Sequence, residues 1–210
     1  LSRILAETAG NPAVIALGIP VRAGSALYNC AVLIQSGKIL GAVPKEYLPN
    51  YQEFYEKRWF APGSAAMEEE ISLCGQEVPF GEMLFRFGEL TIGMEVCEDL
   101  WVPIPPSSRL AVSGANLILN LSASNELVAK DAYRKELISG QSGRCICAYA
   151  YASAGVGEST TDLVFGGACT IAENGAILAE GERFRPDGAM AAACIDLSRL
   201  MAERRKNGSF

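Results

Sequence analysis

The chain contains no histidine. Any thiol or hydroxyl chemistry must therefore proceed without an imidazole, which excludes papain-like, caspase-like and Ser-His-Asp arrangements. Lysine and arginine total 18 against 24 acidic residues, for a formal net charge of −6 and a pI near 4.9. No basic stripe is present that could displace counterions from a nucleic acid, so nucleic acid is not an expected partner. No apolar run reaches the roughly 20 residues that a bilayer-spanning helix needs, so no membrane association is expected. A signal-peptide core is lacking too. Seven scattered cysteines, an odd number, do not read as a disulfide scaffold; a reducing compartment, the cytoplasm, is the expectation. Internal repeats, heptads and low-complexity tracts are absent. What remains is 210 residues with 50% hydrophobic and 20% charged content, the composition of one folded domain spanning 1–210.

The chain opens on Leu1-Ser2-Arg3-Ile4-Leu5-Ala6-Glu7 without an initiating Met. This reads as amphipathic helix, and a piece of a longer polypeptide, incomplete at its N-terminus, is expected. Apolar runs at 13–21, 28–35 and 39–43 predict three strands, the last two joined at Ser36-Gly37-Lys38. From Pro44 to Gly63 no periodicity is evident, and a long ordered loop of this kind is usually functional. Further strands are predicted at 83–87, 91–96, 116–121, 148–152, 168–172, 177–180 and 189–195, with a hairpin turn at Asn174-Gly175. A helix capped by Ser107 or Ser108 is expected to run to about Ser113. A second spans 129 to about 147, with Tyr133, Leu137 and Ile138 on one side and Lys130, Arg134 and Lys135 on another. Several wholly apolar strands need cover on both faces, which predicts a layered α/β domain.

The run Leu90-Thr91-Ile92-Gly93-Met94-Glu95-Val96-Cys97 ends on a thiol, and Glu98-Asp99-Leu100-Trp101 follows at once. A strand that stops this way can hold sulfur at a sharp turn, where a nucleophile belongs. Attack on an amide needs a deprotonated thiol, a cation or N–H groups for the developing oxyanion, and a proton for the leaving amine. Lysine and carboxylate can supply these without histidine. Lys45 is the candidate cation, which would favour the thiolate and face the oxyanion together with the Glu98 backbone N–H. The plainer alternative is a core cysteine and a surface lysine.

The segment Pro44-Lys45-Glu46-Tyr47-Leu48-Pro49-Asn50-Tyr51-Gln52-Glu53-Phe54-Tyr55-Glu56-Lys57-Arg58, with Phe60-Ala61-Pro62-Gly63 after it, resembles the lysine motif of the nitrilase superfamily. It is closest to that of the glutaminase domains of glutamine-dependent NAD synthetases. Ile92 to Trp101 resembles the nucleophile motif of the same family, in the right order. Gly114 to Ser124, Ala148 to Gly155 and Gly157 to Leu163 extend the likeness over most of the chain. The resemblance implies a nitrilase-like four-layer α-β-β-α sandwich. It also implies that Cys97 forms a γ-glutamyl thioester with L-glutamine, that Lys45 stabilises the tetrahedral intermediate and that Glu56 positions Lys45 or substrate. Tyr51, Glu98, Trp101 and Ser124 fall where such domains contact glutamine, although Trp101 could simply pack. The ammonia would pass to a synthetase domain of the same polypeptide that amidates adenylated deamido-NAD. ATP and Mg belong to that absent part, and no metal or organic cofactor is expected for this domain. A homo-oligomer is expected by the same analogy.

The departure from the family pattern is its N-terminal general-base glutamate, which has no counterpart here. Glu7 sits on the opening helix, while Glu53, Glu56 and Glu95 are possible stand-ins. Little glutaminase turnover is therefore expected of the chain alone. Ser139-Gly140-Gln141-Ser142-Gly143 is not a pyrophosphatase loop. Gly155 to Thr160 lacks the lysine of a phosphate loop and reads as a turn. Cys145-Ile146-Cys147 is not a zinc spacing, and with Cys30, Cys74, Cys169 and Cys194 it reads as core packing. Glu68-Glu69-Glu70 reads as a solvated turn. Two other functions fit the sequence: a stand-alone amidase or carbamoylase of the same superfamily, and a non-catalytic binding or assembly module of the same fold.

Overall fold

Three two-residue turns with both central residues at positive φ set three of the antiparallel pairings: Ser36-Gly37 (48° and 76°), Cys74-Gly75 (53° and 76°) and Asn174-Gly175 (47° and 88°). This backbone matches the right-handed twist of the flanking strands, which makes it the favoured hairpin connection. The computed structural model describes residues 1–158 and 161–210. The chain divides into two units, Leu1–Met83 and Leu84–Phe210.

In the first unit α1 (Ser2–Glu7) precedes β1 (Val14–Ala23), β2 (Ala26–Gln35) and β3 (Lys38–Pro44), which form an antiparallel sheet in that order. Leu5, Val21, Tyr28, Cys30, Val32, Ile34 and Ile39 are buried in one cluster. β4 (Glu70–Leu73) and β5 (Gln76–Pro79) form a separate hairpin that puts Ile71 and Val78 into the same core. The sequence reading missed this hairpin, and Glu70, expected in a solvated turn, is the first residue of β4.

The second unit comprises β6 (Phe85–Phe87), β7 (Leu90–Val96), α2 (Pro106–Val112), β8 (Leu117–Ser122), α3 (Lys130–Arg144), β9 (Ala148–Ser153), β10 (Cys169–Glu173), β11 (Ala176–Glu180) and α4 (Leu197–Lys206). Its six-stranded sheet has the order β11-β10-β9-β8-β7-β6. β7, β8 and β9 are parallel, and α2 and α3 are the crossovers that parallel neighbours require. Close approach of α2 to β7 fixes Gly93, where a Cβ would meet Leu110 Cβ at 3.1 Å and Ile118 Cδ1 at 3.0 Å.

Four expectations are corrected. Residues 189–195 form no strand: the segment is alanine-rich, weak in β propensity, and has no ladder partner among the described residues. α2 has no serine cap, because Pro105 is its N-cap and Pro106 its first residue. On α3 the buried face carries Arg134, Ile138, Gln141 and Ser142, whereas Tyr133 is 53% exposed. Arg134, only 1% exposed, is tolerated because Glu126 and Asp131 lie at 2.9 and 3.4 Å. α3 also ends at Arg144, short of Cys147. Of the expected turn at Gly155 to Thr160, Glu158 N–H donates to the Gly155 carbonyl at 3.2 Å, while Ser159 and Thr160 lie outside the described residues.

Candidate active site

Lys45 and Glu56 lie in the first unit. Lys45 follows β3 directly; its N–H donates to the Asn29 carbonyl (2.8 Å), and its carbonyl accepts from Gly63 N–H (2.9 Å). Lys45 is 2% exposed, and its ammonium is held by Glu56 Oε2. Glu56 opens a short 3₁₀ turn, Glu56–Arg58, and its N–H donates to the Pro49 carbonyl at 3.0 Å. Its other oxygen, Oε1, accepts from Asn29 Nδ2 at 2.7 Å. The irregular 44–63 segment is thus tied to Asn29 of β2 at both ends of the Lys45–Glu56 pair. A buried ammonium is costly unless it is paired and hydrogen-bonded, and Glu56 supplies that partner. Tyr51 is exposed on the same segment, edge-on to Phe54 with ring centroids 6.1 Å apart.

Cys97 lies in the second unit, at the C-terminal ends of β7, β8 and β9, the end where open parallel sheets carry ligands. Cys97 takes φ +50°, the left-handed conformation that an L-residue other than Gly, Asn or Asp seldom adopts. It breaks β7 and opens the 3₁₀ turn Cys97–Leu100. Two side chains hold this kink: Asp99 Oδ2 accepts from Val96 N–H at 2.9 Å, and Asn120 Oδ1 accepts from Cys97 N–H at 3.3 Å. The thiol is half-buried.

Beneath Cys97 runs a buried polar chain that the sequence reading did not find. In the parallel register Glu95 pairs with Asn120 and Asn120 with Tyr151. Side chains alternate along strands, so Glu95, Asn120, Tyr149 and Tyr151 share one face. Tyr149 donates its hydroxyl hydrogen to Glu95 Oε1 and accepts from Asn120 Nδ2 at 3.0 Å. Glu95 Oε2 accepts from Ser107 N–H at 2.8 Å, so this carboxylate caps the first turn of α2 in place of the expected serine. Asn120 Oδ1 accepts from Ser122 Oγ at 2.7 Å as well as from Cys97. Burial pushes the Glu95 carboxyl above its ordinary range, and hydrogen bonds from Tyr149, Ser107 and Asn120 offset this only in part. Burial and the neighbouring Glu95 charge push the Tyr149 hydroxyl well up. The signal available in the sequence was a polar residue at the buried parity of otherwise apolar strands: Glu95 in β7 and Asn120 in β8.

Glu98 is half-buried in the 3₁₀ turn and its carbonyl accepts from Trp101 N–H at 2.8 Å. Trp101 packs on the core around Leu100 and Leu110, tilted against Tyr133 (5.7 Å between centroids) with Lys130 Nζ 5.1 Å above its ring. Ser124, just past β8, is buried, and its N–H donates to Ser153 Oγ at 3.2 Å. Cys97, Glu98, Trp101 and Ser124 thus belong to one unit, and Lys45, Tyr51 and Glu56 to the other. Cys30, Cys145 and Cys147 are buried as expected, but Cys74 and Cys194 are exposed. Among the described residues no group of His, Cys, Asp or Glu could hold a metal ion, and no helix is long and apolar enough to cross a membrane.

Residues 1–205 match the sequence model of the family described as carbon-nitrogen hydrolase. The chain is 43% identical over 211 residues to the glutamine-dependent NAD(+) synthetase of Mycobacterium tuberculosis, covering 99% of this chain and 31% of that protein. The crystal structure of a glutamine-dependent NAD(+) synthetase from Cytophaga hutchinsonii superposes with a TM-score of 0.72 at 29% identity, over 85% of this chain and 29% of that one. An amidase of the nitrilase superfamily from Nesterenkonia AN1 shares the fold, with a TM-score of 0.72 at 19% identity over 98% of this chain and 70% of its own. The mixed α/β architecture is therefore nitrilase-like. The chain spans about a third of the length of the curated relatives it matches.

Proposed function

Because the chain belongs to the carbon-nitrogen hydrolase family, we propose that it is the glutamine-hydrolysing part of a glutamine-dependent NAD synthetase, with Cys97 as nucleophile. The observation that carries this reading is the left-handed Cys97 at the end of β7, latched by Asn120 and Asp99. A strained residue held by its surroundings is characteristic of sites where geometry matters more than local stability.

In the proposed reaction the Cys97 thiolate attacks the side-chain carbonyl carbon of L-glutamine, and the carbonyl oxygen takes the displaced electron pair. Lys45, oriented by Glu56, and the Glu98 N–H stabilise that oxyanion. The C–N bond then breaks, and the nitrogen leaves with an added proton as ammonia. The remaining γ-glutamyl thioester is hydrolysed by water to glutamate and free thiol. Tyr51, Glu98, Trp101 and Ser124 are proposed to contact glutamine. The ammonia serves an ATP-dependent amidation of deamido-NAD that belongs to the rest of such a polypeptide.

The test is glutamine hydrolysis by the whole polypeptide, followed as glutamate release. Activity sensitive to iodoacetamide and abolished by Cys97→Ala supports the proposal. Activity that survives the substitution removes Cys97 from its role. Turnover of aliphatic amides or carbamoyl compounds but not of glutamine assigns the chain to the stand-alone amidases instead.

A further inference from the structure

We propose that Glu95 is a positioning residue for Cys97, acting through Tyr149 and Asn120 as a directional hydrogen-bond relay that latches the nucleophile turn. The inference rests on the reading of Cys97 as nucleophile, but its test does not require glutamine turnover.

The argument is one of donors and acceptors. Glu95 accepts at both oxygens, from Tyr149 and from Ser107 N–H. Because Tyr149 spends its only hydrogen on Glu95, it can face Asn120 solely as an acceptor, and Asn120 must turn its NH2 group toward it. That orientation leaves Oδ1 on the other side, where it accepts from Cys97 N–H. The direction of every bond follows from Glu95 being an acceptor.

Reversal has a definite consequence. If Glu95 donates to Tyr149, the tyrosine hydrogen turns to Asn120, the amide flips to accept it, and an NH2 group meets Cys97 N–H. Two donors then face each other at the one residue that needs an acceptor to hold φ at +50°. Asn120 is only 1% exposed, so water cannot readily substitute for the lost acceptor. Either protonation of Glu95 or replacement by glutamine reverses the relay, the latter because a glutamine that accepts from Ser107 N–H must present its NH2 to Tyr149. Among the described residues, Tyr149 on β9 and the buried thiols of Cys145 and Cys147 feel the Glu95 charge. Neither thiol forms a link in the relay.

The experiment measures iodoacetamide alkylation of Cys97 by peptide mass spectrometry against pH, with exposed Cys74 as internal reference, in the wild-type chain, Glu95→Gln, Tyr149→Phe and the double variant. Each single substitution is expected to slow Cys97 about tenfold, the scale of one buried hydrogen bond, and to leave Cys74 unchanged. The double variant should be no slower than the slower single one, since both break the same relay. The wild-type Cys97-to-Cys74 ratio should fall on the acid side through one inflection that Glu95→Gln lacks. A folded variant that alkylates Cys97 at the wild-type rate or faster, effects that multiply in the double variant, or an inflection retained in Glu95→Gln would overturn the relay. Should Glu95→Gln fail to fold, the rate in Tyr149→Phe decides by the same criterion. Loss of glutamine hydrolysis by the whole polypeptide with the relay behaviour intact would instead count against the proposed reaction alone.

Discussion

The carboxylate of Glu56 closes on the buried ammonium of Lys45 with one oxygen while its other oxygen accepts from Asn29. Glu56 lies 11 positions beyond Lys45 along irregular chain, so the pair fastens the segment between them as well as fixing the lysine. Glu56→Ala would leave Lys45 as an uncompensated buried charge and Asn29 Nδ2 without its partner. Breaking a buried pair from one side costs about 3–5 kcal/mol. The expected outcome is a lower urea midpoint at unchanged m, together with lost glutamine hydrolysis in the whole polypeptide. Glu56→Asp, which keeps the charge but shortens the reach, should fall between the two.

At Cys97 stability and function should separate. An L-residue at φ +50° carries strain of about 1–2 kcal/mol that glycine does not, partly offset by the greater freedom glycine has when unfolded. Cys97→Gly is therefore expected to raise stability by about 0.5–1 kcal/mol while abolishing thiol chemistry. Cys97→Val, β-branched at the same φ, should destabilise. Thermal melts of the three proteins, run beside alkylation assays, check the order.

What the sequence disclosed followed the range of the interaction. β7 ending on Cys97, the Ser36-Gly37 and Asn174-Gly175 turns, and the irregular 44–63 segment are set by neighbours in the chain, and they were legible. The β4–β5 hairpin was hidden because its strands are four residues each and only Ile71, Leu73 and Val78 mark its inner face among polar and charged neighbours. Arg134 took a core position, and Tyr133 a surface one, because Glu126 and Asp131 neutralise the arginine. The Glu95–Tyr149–Asn120 chain depends on the register of three parallel strands, and periodicity along one strand carries no information about register. Cys97 and Lys45 stood out from the residues themselves, and the family likeness added Glu56 but not these supporting groups.

Glu95 also sets the sign of a pH effect on stability. Its carboxyl lies above the ordinary range in the folded chain, chiefly through burial. The folded state therefore keeps a proton at pH values where the unfolded chain, titrating near 4.3, has released it. Stability falls with rising pH wherever the native state binds more protons, so this contribution is present below the unfolded value and is lost as pH rises through the folded one. Relative to Glu95→Gln, which does not titrate there, the wild-type chain should lose ground across that window. Urea midpoints of both proteins measured from pH 4 upward test the direction, and a difference that stays flat or moves the other way contradicts it.

α2 carries opposite charges at its two ends. Glu95 accepts from Ser107 N–H in its first turn, and Arg204 of α4 reaches the Ala111 carbonyl (3.4 Å) in its last turn and that of Ala115 (2.6 Å) just beyond. The same guanidinium donates to the carbonyls of Cys145 and Ile146 (both 2.9 Å) just past α3. Helix C-termini leave carbonyls short of partners and partially negative, and one planar cation here donates to four carbonyls at or just past two helix ends, of which that of Ala111 also accepts from Gly114 N–H. Burial lowers the Arg204 pKa, but arginine starts too high for the charge to be lost near neutrality. Arg204→Met keeps the apolar stem and strands the carbonyls, and is expected to cost about 3 kcal/mol. Arg204→Lys, with a point charge and three donors, should recover only part of that. Hydrogen exchange locates the loss: protection in α2 and at the C-terminal end of α3 should fall together in Arg204→Met, because one side chain closes both, and unchanged protection at either end would show that its contacts there contribute nothing.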